Sequence, residues 1–231
     1  GEQANSLLGF DLMLHDTCAA ALIGNQREFI SAPRLDNLAS CFVAVEALLG
    51  ASSQDTDDLD LGIVLYDHEE CGSRSAVGAH GTFLREVLTR CVEGRSDALA
   101  RSMTESLFIS ADMAHSIHPN YADAHEPNHQ PIMGGGLVLK SNANQSYATN
   151  GLTASEVMLA CAEADVPLQK FVTRSDMPCG STIGSIVAAN VGIQTVDLGA
   201  PMLSMHSCRE LMGAADVNLS IRALRSLLLP S

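Results

Sequence analysis

Four short stretches of this 231-residue chain place a carboxylate or an imidazole just after a strand-like run or at the start of a helix-like one. They are Asp36 in APRLDNL, Glu69 and Glu70 in LYDHEECGS, Asp112 in ISADMAH, and His206 in SMHSCRE. In open α/β sheets ligands gather at the carboxyl ends of strands, so groups delivered there from separate strands converge on one crevice. Carboxylates crowded in that way repel one another unless cations neutralise them. Hard carboxylates with an imidazole suit zinc, manganese or cobalt rather than calcium or a thiolate zinc site. The adjacent pair Glu69 and Glu70 adds a second kind of chemistry. In a two-metal hydrolase one carboxylate ligates while its neighbour takes a proton from the attacking water. An isolated Glu-Glu is equally a solvated acidic turn, and from position alone both readings stay open.

The elements that must position these residues alternate between strand-like and helix-like patterns, which defines a layered α/β domain. Phe29 and Ile30 form a strand feeding the turn at Pro33, and the apolar set Leu38, Phe42, Val45, Leu48 and Leu49 then recurs at helical spacing up to Gly50. The polar stretch Ser52 to Asp60 is a surface loop. Leu61 to Tyr66 (LGIVLY) is a continuous β-prone run, expected as a strand buried on both faces. Phe83 to Cys91 returns to helical spacing, and Leu107 to Ala111 is expected as another central strand. Asp112 to Gly136 lacks periodicity and is rich in His, Pro, Asn and Gly, a length that marks a functional or disordered segment. Strands near Leu137–Lys140, Phe171–Val172 and Thr195–Leu198 alternate with helices near Thr153–Ala164, Thr182–Asn190 and after His206. Gly180 and Gly184 bracket a helix start, either to let backbone approach a ligand or to shape a turn. No internal repeat or linker divides the chain.

A formal charge of −14, with Lys140 and Lys170 as the only lysines, excludes nucleic acid as a partner. The longest apolar runs are too short to span a bilayer, and the first residues lack the pattern of a secretory signal, so a soluble protein is expected. Seven cysteines, odd in number and never spaced as CxxC, fit a reducing, cytoplasmic setting, with most of them expected as small buried apolar residues.

PRLDNL, LYDHEECGS, SADMAHSIHPNY, KSNANQSYAT, DMPCGSTIG and DLGAPMLSMHSCRE, in this order, closely resemble the aspartyl aminopeptidase family of two-metal metallo-aminopeptidases. The match runs from about Leu8 to the last helix. The resemblance implies a three-layer α/β/α metallopeptidase-like domain with a mixed, mostly parallel central sheet. It implies two divalent metal ions, zinc before manganese or cobalt. Asp36 would bridge them, Glu70 and His206 would complete one site, Asp112 would help bind the other, and Glu69 would be the general base. It also turns Lys140, His115 and Tyr147 toward the substrate. Lys140 is then the cation for an acidic N-terminal side chain, unless it is a strand-edge lysine that keeps a sheet soluble. His118, His125 and His129 are expected as surface or loop-stapling residues. A cis Asp36–Asn37 peptide is expected beside a bridging aspartate of this kind.

The resemblance further implies a first histidine ligand in a His-x-Asp motif, followed by a dimerisation domain. None of the eight histidines stands in such a motif. Residues 1–231 are therefore expected to be the C-terminal portion of the catalytic domain. Asp36, Glu70 and His206 would hold one metal, and Asp36 with Asp112 alone would hold the second weakly. The expected function is release of N-terminal Asp or Glu from peptides, within a homo-oligomer that the family builds as a dodecamer. A preference for neutral N-terminal residues, and an incomplete subunit serving only as an assembly scaffold, are the alternatives.

Overall fold

A computed structural model describes residues 7–52, 59–92 and 97–229. Its central sheet has four strands: β3 (Leu107–Ala111), β5 (Leu137–Ser141), β6 (Leu168–Val172) and β7 (Gln194–Gly199), in the order β3-β7-β5-β6. The β3–β7 and β5–β6 ladders are parallel, whereas β5–β7 is antiparallel, so the sheet is mixed with parallel pairing in the majority. Alternation along the strands sorts their side chains. Leu137, Leu139, Val196 and Leu198 face a core closed by Val43 and Ala47 of α1 (Leu35–Ala51), Val157 and Cys161 of α4 (Gly151–Glu163), and Ala223 and Leu224 of α6 (Ala214–Leu228).

The opposite side of the sheet takes Lys140 and Asp197, both almost fully buried. Here the Asp197 carboxylate accepts from Thr182 Oγ1 and from the Ala148 amide, tying β7 to the start of α5 (Ile183–Val191) and to the loop before α4. Gly184 permits that approach, since a Cβ there would lie 2.4 Å from the Asp197 carboxylate oxygens. Its lack of a side chain serves helix–strand packing. Helix α4 begins at a capping box, Asn150 accepting from the Thr153 amide while Thr153 Oγ1 accepts from the Asn150 amide.

A second sheet, not legible as a unit in the sequence, contains β1 (Ala21–Ile23), β2 (Phe29–Ala32), β4 (Ala114–His115), β8 (Pro201–Leu203) and β9 (Glu210–Gly213), in the order β1-β2-β9-β8-β4. Its strands are too short to show a period. It lies against Leu35 at the start of α1 through Ala32, Met113, Met202 and Met212. Two further helices, α2 (Phe83–Cys91) and α3 (Ala98–Glu105), complete the α-helices of the described residues.

Several expectations change. Leu61–Tyr66 forms no strand: no ladder among the described residues reaches it, and Leu65 is 58% exposed. Branched apolar composition supplies strand propensity, but a strand also needs a neighbour to take its N–H and C=O groups. For the same reason β3, expected as a central strand, is an edge strand, paired among the described residues to β7 alone. On α1 the stripe Leu38, Phe42, Val45 and Leu49 points outward, each residue at least 38% exposed, while Ser40, Val43, Ala47 and Ala51 face the core. Small residues on that inner face let α1 approach α6 closely. Of the seven cysteines only Cys161 is buried, and Cys18, Cys71, Cys91 and Cys208 are exposed. The surface loop expected from Ser52 to Asp60 lies mostly outside the described residues. The irregular stretch after Asp112 folds back on itself, with the Ile117 amide and the Ser116 hydroxyl both donating to Pro131 O, and a 3-10 turn at Ala122–Ala124. No described helix is long and apolar enough to cross a membrane.

Candidate metal centre

Asp36 lies where β2 turns into α1. Arg34 takes a left-handed backbone (φ 59°), Leu35 is buried as an anchor, and the Asp36–Asn37 peptide is cis, as expected. Asn37 Nδ2 donates to Ala111 O at 3.0 Å, fastening this turn to the end of β3. The Asp36 side chain is 4% exposed, and its Oδ1 is buried with no hydrogen-bond partner. Glu69 and Glu70 stand on a 3-10 turn, Glu69–Cys71, entered through His68 (φ 58°) and left through Gly72 (φ 97°). His206 follows β8 with its own backbone left-handed (φ 65°) and its ring open to solvent. Each of the three turns thus holds a non-glycine residue in a costly conformation, a pattern that gathers at functional sites.

These turns bring three ligand-type groups together. His206 Nε2 lies 2.9 Å from Glu70 Oε2 and 3.2 Å from Asp36 Oδ2. One donor atom from each of Asp36, Glu70 and His206 falls within 4.8 Å of the others. Asp112, just past the end of β3, lies close enough to Asp36 for its carboxylate to raise that group, and it receives Lys140 Nζ at 3.0 Å. Lys140 also donates to Met113 O at 2.7 Å, and its ammonium lies 5.5 Å from the Tyr147 ring centre. Tyr147 is buried beside Phe171, and His115 stands at the rim of the same group. His125 is buried behind it, Nε2 facing His115 O, and His129 pairs with Glu126, as loop staples do.

Electrostatics bind the acidic groups into one unit. Burial, then the Asp112 carboxylate, pushes the Asp36 carboxyl well above the usual range. Burial, then Asp112 and Glu70, pushes Glu69 up to about 7, and Lys140 and His206 offset only part of it. The crowded protein around His115 and the nearby Lys140 ammonium hold its imidazole below the ordinary value. A cluster of carboxylates that raise one another is a cluster short of positive charge. A divalent cation fits this deficit: three convergent donors of carboxylate and imidazole type, with a buried Asp36 oxygen to spare.

Glu210 escaped the sequence reading of individual residues, although it stands inside SMHSCRE. It is 2% exposed, and its two oxygens accept from the amides of Asp36 (3.0 Å) and His206 (2.8 Å). Arg209 of the same motif donates to Cys18 O and Ala19 O and pairs with Asp16, pinning the segment before β1.

Fold and site define an α/β protein in which Asp36, Glu70 and His206 present three ligand-type groups to one point. Residues 1–227 match the family described as Aminopeptidase I zinc metalloprotease (M18). A probable M18 family aminopeptidase 2 of Pseudomonas paraeruginosa is 49% identical over 224 residues, covering 97% of this chain and 51% of the relative. Among solved structures, the chain is similar to one from a cryo-EM structure of the Ape4 and Nbr1 complex (44% identity, TM-score 0.89, 93% of this chain and 42% of that one). It is also similar to one from the S. cerevisiae mApe1 dodecamer (29% identity, TM-score 0.81, 92% of this chain and 48% of that one). The chain belongs to the M18 family of zinc metallo-aminopeptidases. It spans about half the length of the curated relatives it matches.

Proposed function

We propose that this chain supplies most of the metal-binding and proton-transfer groups of an aminopeptidase that removes Asp or Glu from peptide N-termini. The convergence of Asp36, Glu70 and His206 from three separate turns carries the reading. Asp36, Glu70 and His206 would hold one divalent ion, zinc before manganese or cobalt, and Asp36 with Asp112 would contribute to a second. Metal bound there supplies Lewis-acid polarisation of the peptide carbonyl and a lowered pKa for an attacking water. Glu69 faces the same space without being among the three convergent donors, and its carboxylate takes the water's proton and later passes it to the leaving amine.

Lys140 is the cation assigned to the substrate's acidic side chain. Two of its three N–H groups are engaged by Asp112 and Met113 O, which leaves one for a ligand. Tyr147 and His115 flank it. Its burial against Asp112 equally supports a second reading, in which Lys140 balances Asp112 and sets no selectivity. The exposed apolar side chains of α1 and of Leu65 support coverage by the half of the enzyme that the relatives possess beyond this chain. The dodecamer of mApe1 supports homo-oligomeric assembly, and the exposed free cysteines support a cytoplasmic setting. The test is turnover of Asp-, Glu- and Leu-aminoacyl substrates by the chain reconstituted with the remaining half of a relative. Metal-dependent cleavage favouring Asp and Glu supports the proposal. Preference for Leu removes the acidic specificity, and metal binding without turnover leaves a scaffold.

A further inference from the structure

Among the described residues, Glu210 is the one buried carboxylate that touches the backbone of two ligand-bearing turns. It projects from β9, where it pairs in register with Ala32 of β2, four residues before Asp36. One of its oxygens holds the Asp36 amide and the other the His206 amide, and these are the residues whose side chains meet across 3.2 Å. The contact between Asp36 and Glu210 spans 174 residues of sequence. We infer that Glu210 is a positioning residue of the metal centre: it fixes the distance between Asp36 and His206 before any ion arrives. This rests on the metal-site reading above. The physical reason is that an amide donating to a carboxylate is held in direction as well as in distance. His206 also occupies a left-handed backbone that a non-glycine residue leaves unless something retains it.

Asp216 supplies a matched contrast. It too is buried with each oxygen accepting a backbone amide, from Gly134 and Gly136, yet neither donor carries a candidate ligand. The experiment is titration of the metal-free chain with cobalt(II) alone, read by visible absorption, with apo-protein melting measured in parallel. Glu210→Gln turns one acceptor into an NH2 group that opposes an amide, and Glu210→Asp retains the charge but is too short to meet both. Both substitutions should weaken cobalt binding about 10–100-fold and alter its absorption bands. Asp216→Asn should lower the melting temperature and leave affinity and bands unchanged. Equal affinity in wild type and Glu210→Gln overturns the inference, and so does full recovery by Glu210→Asp, which would assign the effect to charge. Failure of the folded wild type to bind cobalt overturns the metal-site reading itself, and the inference with it.

Discussion

Leu61–Tyr66 (LGIVLY) and Leu137–Ser141 (LVLKS) are short, each opens on a branched apolar run or carries one, and each leads toward the candidate site. The second becomes β5, flanked by β6 and β7, with Leu137, Val138 and Leu139 at most 2% exposed. The first has no ladder among the described residues, and its side chains stay partly exposed, Leu65 at 58%. Neighbours make the difference, since backbone groups must be paired before apolar side chains can be buried beside them. The site inherits this contrast. Asp36, Asp112, Lys140 and His206 are delivered from or beside paired strands, whereas Glu69 and Glu70 arrive on a turn held mainly by its own hydrogen bonds, such as Ser73 N to His68 O at 2.8 Å.

The largest effect is expected at the loosely held arm. In enzyme reconstituted with a relative's other half, Glu69→Gln should cut kcat about 10²–10⁴-fold while metal content by mass spectrometry stays constant. Loss of metal instead would make Glu69 a ligand and the turn a better-fixed part of the site than the comparison allows. The comparison itself is sharpened by urea unfolding of this chain. Leu139→Ala should cost about 2–5 kcal/mol by leaving a cavity in the core, and Leu65→Ala should stay within about 0.5 kcal/mol. Equal costs would show that Leu61–Tyr66 is packed in solution and would break the contrast.

Much of the site was legible because ligand chemistry is local in sequence. Asp36, Glu70 and His206 each stand in a short motif, and the structure brings them within reach of one another. Element types were legible wherever helical spacing or a β-prone run was long, as in α1, α4 and β7. Pairing was not, because a run such as LGIVLY carries no record of its neighbours. Helix spacing likewise cannot say which of two stripes faces inward, and on α1 the small residues Ser40, Ala47 and Ala51 won over Leu38 and Phe42. Glu210 stayed hidden because a residue that acts on backbone amides looks, in sequence, like any acidic surface residue.

Lys140 separates the two roles available to a cation delivered by the well-paired strand. Lys140→Met in the reconstituted enzyme should lower kcat/KM on Asp and Glu substrates by about 10–150-fold, the loss of a charged contact, and change Leu turnover little. Equal loss on all substrates would assign Lys140 to balancing Asp112. A smaller, graded effect is expected at Asp216, whose carboxyl burial raises to about 6 from 3.8, against the pull of the Gly134 and Gly136 amides. A raised folded-state pKa means that the native state holds the extra proton. Its stabilising contribution is complete below about pH 4 and is lost as pH rises through about 6. Asp216→Asn should therefore flatten the fall in urea stability across that window, and an unchanged profile would show that Asp216 titrates normally.

The central claim is that turns far apart in sequence bring Asp36, Glu70 and His206 to one cation. Crystals of this chain soaked in zinc, with anomalous difference density collected at the zinc edge, address it directly. The account predicts a peak within bonding distance of Asp36 Oδ2, Glu70 Oε2 and His206 Nε2, absent in His206→Ala. Zinc bound elsewhere, or the three side chains found apart in well-ordered density, would contradict it.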